Sequence, residues 1–180
     1  MKKFIITLVT ILSCALANGQ ATTEGNWMFE VGTSVFAETT LKQGASTGIN
    51  LLSTEGTTLF SLGAEGGYFI QDNLALKFGF GYSDLDFTNF FTYKFGLKHY
   101  AGGTIPLQVD LTGSVNEDID NGFETVDSPD PLWLGLQMGY AAFVSENIAL
   151  EPTLRYNASL NNDFTDESII EFKFNFVIFL

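Results

Sequence analysis

The chain has 180 residues, of which 46% are hydrophobic and only 16% charged, and its net charge is −13. That length suits a single domain, and the acidic balance excludes nucleic acid as a partner because the basic footprint is missing. Phe and Gly number 18 each against 4 Pro, and no internal run reaches the roughly 18 apolar residues of a spanning helix, so many short strands are expected.

The N-terminus reads as an export signal. Met1-Lys2-Lys3 is a basic start, Phe4 to Leu12 an apolar run, and Ala15-Leu16-Ala17 a cleavage pattern. The expected domains are a signal peptide over 1–20, cut after Ala17 or near Gln20, and a barrel over 21–180. A retained anchor is the alternative, but the apolar run is short for it. Cys14 is the only cysteine and leaves with the signal. Ile11-Leu12-Ser13-Cys14 is also a candidate lipidation site, with Leu12 a poor fit before Ser13. Loss of Lys2 and Lys3 moves the net charge from −13 to −15.

After a polar lead, Asn18 to Asn26, eight strands are predicted, each alternating with period 2. The first is Trp27 to about Ala37. A polar loop, Glu38 to Thr57, precedes the second, about Thr58 to Ile70. The turn Gln71-Asp72-Asn73 leads to the third, Leu74 to about Ser83. The acidic loop Asp84 to Asn89 leads to the fourth, about Phe90 to Tyr100. Ala101 to Thr104 turns into the fifth, Ile105 to about Ser114, with Pro106 at its tolerant start. The loop Val115 to Pro131 holds Glu117, Asp118, Asp120, Glu124, Asp127 and Asp130. The sixth strand is Leu132 to Val144. Ser145-Glu146-Asn147 turns into the seventh, Ile148 to about Ala158, where Pro152 predicts a bulge. Ser159 to Ser168 is a polar loop, and the last strand is Ile169 to Leu180. Its Ile170, Phe172, Phe174, Phe176, Ile178 and Leu180 share one face, against Glu171, Lys173 and Asn175 on the other. An internal repeat supports this register: Phe69 to Leu76 matches Phe143 to Leu150, with Asn73 and Asn147 lying 74 positions apart.

Two patterns choose the architecture. Short connections follow strands two, four and six, and the longer ones follow one, three, five and seven, as in membrane barrels with one rim of turns and one of loops. The charges are also sorted. Lys77, Lys94, Lys98, Arg155 and Lys173 fall on the non-aromatic strand faces, together with Glu30, Glu65, Asp110, Glu151 and Glu171. An eight-stranded bore has room for little more than one packed layer of side chains. The Gly- and Ser-rich charged face suits it; the Phe- and Leu-rich face does not. A Lys or Arg turned to lipid would cost about 2–4 kcal/mol at the midplane. The expected fold is therefore an all-β, eight-stranded antiparallel up-and-down transmembrane barrel with a polar, filled interior, the ten charges forming a structural network. A soluble lipocalin-like carrier is the rival.

The chain resembles the small eight-stranded outer-membrane proteins, the family of the OmpA barrel domain and OmpX. The resemblance covers roughly Trp27 to Leu180 and rests on Asp72-Asn73-Leu74-Ala75-Leu76, its copy at Glu146, and the terminal alternating strand. It implies an outer-membrane location in a Gram-negative envelope, termini in the periplasm and long loops outside. It also implies no peptidoglycan-binding second domain, and a C-terminal signal (Phe176, Ile178, Leu180) read by the barrel-assembly machinery. The family usually ends in Phe, so Leu180 makes the signal a variant one.

No catalytic, cofactor-binding or metal set is expected. His99, the only histidine, falls in the lipid-facing phase near a short-turn rim, without the serine partner that lipid-cleaving barrels use. Asn116 to Gly122 resembles a calcium loop, but Gly122 is one place late. Trp27, Tyr68, Tyr82, Tyr100, Trp133, Tyr140 and Tyr156 are expected at the interfaces. The functional expectation is a structural or surface-interaction protein without catalysis, with Glu38–Thr57 and Val115–Pro131 as contact surface. Its expected partners are outer-membrane lipid and an extracellular ligand. A narrow, porin-like path for small solutes or ions is the alternative.

Overall fold

The computed structural model describes residues 21–36, 43–54, 57–85, 89–116, 119–120, 125–126 and 129–180. The expected signal, and Glu117, Asp118, Glu124 and Asp127 of the acidic loop, lie outside the described residues. The elements are β1 (Trp27–Ser34), β2 (Asn50–Thr54), β3 (Thr57–Gln71), β4 (Leu74–Asp84), β5 (Asn89–Ala101), β6 (Ile105–Asn116), β7 (Ile119–Asp120), β8 (Thr125–Val126), β9 (Leu132–Gly139), β10 (Ala142–Ser145), β11 (Ile148–Ser159) and β12 (Ile169–Phe179). β7 and β8 pair only with each other. The remaining strands form one antiparallel sheet, and β1 pairs with both β12 and β3, which closes it. β10 continues the line of β9 and β2 lies beside β3, so the ring has eight staves, as the alternation predicts.

The strand faces sort by polarity. Leu76, Phe80, Phe91, Phe95, Leu111, Leu154 and Phe174 are exposed outward, while their neighbours Lys77, Thr92, Lys94, Thr112, Arg155 and Lys173 are buried inward. Water-free surroundings suit that outer face, and closure pairs the staves' backbone groups as hydrocarbon demands. The soluble carrier is thereby overturned: it needs the aromatic face packed inside, and these side chains stand 48–63% exposed.

The short turns share one rim. Asn73, Gly102 and Gly103 adopt φ of 65°, 60° and 77° there, the left-handed values such turns require. The internal repeat is a repeat of structure. The register shifts between Phe69 and Gln71 in one hairpin and between Phe143 and Ser145 in the other, so both corners carry the same bulge. The polar lead closes this rim from below. Thr22 accepts from the Asn73 amide through its carbonyl at 2.7 Å and donates to Asn73 Oδ1 at 2.6 Å.

Three features depart from the sequence expectation. Pro152 makes no bulge in its own strand; the sixth stave breaks instead. Pro152 O accepts from Tyr140 N at 3.2 Å, so the missing N–H of Pro152 faces the same neighbour. The ladder fails there, splitting β9 from β10 at Tyr140–Ala141. Tyr100 and Trp133 are not interface residues: both point into the bore and are fully buried. Finally, part of the Glu38–Thr57 loop is not outside at all. Gln43 to Gly48 are buried and cross the bore, then the chain re-emerges as β2 against Thr57–Ser61 of β3. β1 and β3 pair only over Trp27–Glu30 and Glu65–Tyr68, and above that level β2 fills the gap between them. Ile49 N donates to Gly32 O at 2.7 Å and Ser34 N to Asn50 Oδ1 at 2.9 Å.

The outward phase makes a depth-dependent prediction. Val109, paired with Leu97 and Leu136 near mid-wall, and Ile105, paired with Ala101 at the turn rim, are both exposed outward. Val109→Lys should lower folding stability in lipid vesicles by about 2–4 kcal/mol and Ile105→Lys by about 0–1 kcal/mol. Urea titration of vesicle-folded protein measures both; equal costs at the two depths would contradict the assignment.

Candidate functional site

The bore is the only place where the fold gathers chemistry among the described residues, and it is filled in three layers. The first, at the long-loop rim, is the crossbar Gln43–Gly48. Trp133 Nε1 donates to Gln43 O at 3.0 Å and Ser114 Oγ to Gly44 O, which anchors one end on β6 and β9. Ser46 N donates to Thr92 Oγ1 at 3.1 Å, and Thr47 Oγ1 to Glu65 Oε1 at 2.6 Å. The crossbar lies so close to the wall that a Cβ at Gly81 would collide with the Ser46 carbonyl, and one at Gly63 with the Thr47 backbone. Glycine is needed at both for this approach.

The second layer is ionic. All ten charges expected on the inner face are buried there: Glu30, Glu65, Lys77, Lys94, Lys98, Asp110, Glu151, Arg155, Glu171 and Lys173. Six of them, with Thr47 and Tyr100 at its ends, form a chain along the axis. Thr47 leads to Glu65, which binds Lys94 and lies 3.2 Å from Lys77. Lys77 and Lys98 both reach Glu30 Oε2 at 2.7 Å. Lys98 also binds Glu151 at 2.6 Å, and Tyr100 Oη donates to Glu151 at 2.8 Å. A second cluster stands beside it. Arg155 grips Asp110 with two parallel bonds of 2.7 and 2.6 Å, the bidentate geometry a planar guanidinium favours. Gln108 and Thr112 also donate to Asp110, and Asn157 bridges Arg155 Nε to Glu171, both bonds at 2.7 Å. Gly135 gives the guanidinium its space, since a Cβ there would strike Arg155 Nη2.

The third layer, at the short-turn rim, is apolar. Met28, Phe69, Tyr100, Val177 and Phe179 pack with Ala21, Ala75, Ala141 and Ala149. Phe143 stacks on Phe179 at 5.4 Å. Residues Thr47, Asn157, Gln108 and Tyr100 were not singled out from the sequence as parts of the network. The last three were legible, because each lies in the same strand phase as a named charge. Thr47 was not, since a crossing segment has no period.

Other expected sites fall elsewhere. His99 is exposed outward beside Leu74 and Leu107. Trp27, Tyr68, Tyr140 and Tyr156 are exposed outward near strand ends, as interface residues should be, and Trp27 lies 5.0 Å from Tyr68. Phe176 and Leu180 also face out, while Ile178 is half-buried. Among the described residues no cluster of His, Cys, Asp and Glu could hold a metal ion. The calcium-like run Asn116–Gly122 lies largely outside them.

No protein-family model matches the chain, and no curated protein matches it. Solved structures do. The N-terminal β-barrel domain of Pseudomonas aeruginosa OprF is 15% identical with a TM-score of 0.53, covering 87% of this chain and 98% of that one. The Yersinia pestis outer membrane protein Ail is 11% identical with a TM-score of 0.52, covering 87% of this chain and all of that one (100%). The fold is that of the small outer-membrane β-barrels. At these identities the likeness is one of architecture, and what fills this barrel is particular to its own residues.

The Asp110–Arg155 pair allows a clean energetic test. Asp110→Ala leaves the guanidinium buried and unpaired, which should cost about 3–5 kcal/mol. Replacing both partners with apolar residues, Asp110→Leu with Arg155→Met, should recover most of that loss. Urea midpoints in vesicles or micelles measure both. A neutral Asp110→Ala would mean that the pair is solvated and the bore is wet.

Proposed function

We propose that this protein sits in the outer membrane as a barrel sealed to solutes, and acts through contacts made by its long loops rather than by transport or catalysis. The observation that supports this reading is the triple filling of the bore. A solute entering from the loop side meets the crossbar, then two ion-pair clusters, then the Phe69–Tyr100–Phe179 layer. With the interior occupied, the surface left for chemistry outside the membrane is the loop rim. The acidic Val115–Pro131 segment dominates it by composition. Phe176, Ile178 and Leu180 on the terminal strand are the proposed contact for the assembly machinery.

The ion-path alternative draws support from the polar chain between Thr47 and Tyr100. That chain ends against Met28, Phe69 and Phe179, however, where an ion would have no ligand.

Planar-bilayer recording of the purified barrel should give no unitary conductance. Gly81→Val, whose side chain cannot share space with the Ser46 carbonyl, should dislodge the crossbar and still give none, because two layers remain. Discrete openings in the unaltered protein would overturn the sealed reading. Deleting Val115–Pro131 should abolish surface binding while the barrel still folds. Unchanged adhesion and envelope integrity after that deletion would count against the loop-contact role.

A further inference from the structure

The outer wall carries a groove with one basic end. It is a depression of about 530 Å³ between two rows of outward side chains, one running from Leu97 through Val109 to Ile170 and the other from His99 through Leu107 to Leu154. Both rows follow paired positions across β5, β6, β9 and β11, and the first reaches β12. Gln108, Gln137 and Arg155, whose side chains turn into the bore, make the floor. Four strand spacings give a length of roughly 19 Å. One leaflet is half of the hydrocarbon core, or roughly 15 Å, so the groove is long enough for one acyl chain.

The stagger of the staves gives the groove a direction. β5 ends at Ala101, two residues beyond His99, whereas β12 runs on for nine residues beyond Ile170 to Phe179. The groove therefore starts at the short-turn rim and climbs away from it. Short turns face the periplasm in barrels of this kind. The low end is also where charge stands on the outside. Among the described residues His99 is the one basic side chain exposed outward, since Lys77, Lys94, Lys98, Arg155 and Lys173 are all inside. The rim around it is otherwise acidic. Asp72 stands in the turn before Leu74, the residue paired with His99. Glu24, whose amide donates to Asp72, and Glu146, in the turn before β11, are exposed at the same rim. Two other apolar grooves in the wall, of about 560 Å³ beside Val31 and Phe176 and about 370 Å³ beside Trp27 and Phe80, have no basic residue in their walls.

Shape selects a lipid tail, and the rim selects the head. An imidazole N–H donates to a phosphate oxygen in either protonation state. A head with net negative charge would be repelled by the neighbouring carboxylates, while an amine on the head would offset them. We propose that this groove binds one phospholipid of the leaflet at the short-turn rim, with its phosphate on His99, one acyl chain between the two rows, and a primary amine of the head facing Asp72. The site belongs to the wall alone, so it is independent of what the loops contact and of whether the bore is sealed.

The test is lipid retention. Barrel folded in vesicles of equal phosphatidylethanolamine and phosphatidylglycerol, then released into mild detergent for native mass spectrometry, should carry one phosphatidylethanolamine per chain. His99→Leu, at an exposed rim position, should lower the retained fraction about tenfold or more, the worth of one hydrogen bond to a charged group. Leu107→Trp fills the groove and leaves the imidazole, and should lower it too. Phe80→Trp, in the groove beside Trp27, should leave it unchanged. Retention of neither lipid, no preference for the amine-bearing one, or equal retention in all the variants would overturn the proposal and reduce the groove to ordinary lipid contact.

Discussion

Hydrocarbon accepts no hydrogen bond and solvates no charge, and the rest of this structure follows from that one constraint. Each stave pairs its backbone with two neighbours because lipid offers no substitute. The outer face is apolar because a misplaced lysine there is penalised. The ten ionic side chains within the wall turn inward, into a bore narrow enough that the charges must meet one another. The ion pairs are therefore less a source of stability than a consequence of orientation. A buried pair is costly to break but often neutral to replace. What the pairs do here is occupy volume and fix register: Arg155 reaches Asp110 only if β11 and β6 stand at one particular stagger about β9.

The three layers divide the work of filling an eight-stave bore. Near the turn rim the cross-section is filled by rings, with Phe69, Tyr100 and Phe179 mutually 5.9–6.2 Å apart. The repeated hairpin corner contributes to this twice, through Phe69 and Phe143. In the middle, long charged side chains reach across the axis. Near the loop rim Ser61, Ser83, Thr92 and Ser114 turn small side chains inward beside the larger Phe90 and Trp133, and the gap that remains is closed by backbone. That last choice explains Gly63 and Gly81, which look in the sequence like ordinary narrow-bore glycines but are spaces reserved for Ser46 and Thr47. The crossbar also repairs the wall. Where β1 and β3 part above Glu30 and Glu65, β2 supplies the missing backbone partner.

Much of this was legible in the sequence because period-2 alternation is a statement about two faces. Lys94, Lys98, Glu151 and Glu171 could be placed inside from neighbours two residues away. The same rule would have placed Tyr100, in phase with Lys98, and Trp133, in phase with Gln137; an expectation that aromatic strand ends belong at interfaces overrode it. Pro152 was read correctly as a defect, but its effect falls on the strand that lost the hydrogen bond. The crossbar was not legible. Its Gly-, Ser- and Thr-rich composition is that of any exposed loop, and only tertiary contact reveals that Gln43 to Gly48 point down into the bore rather than out. The partner of each carboxylate was likewise hidden, since pairing between Lys98 and Glu30 depends on the stagger of staves far apart in sequence.

The central claim is the sense of the two faces, and one measurement reads it directly. Single nitroxide labels at successive positions from Glu171 to Val177 on β12, in vesicle-folded protein, report collision with oxygen dissolved in the bilayer. The account predicts a two-residue oscillation, with Phe172, Phe174 and Phe176 accessible to oxygen and Glu171, Lys173, Asn175 and Val177 shielded. An oscillation of opposite phase, or none, would contradict it.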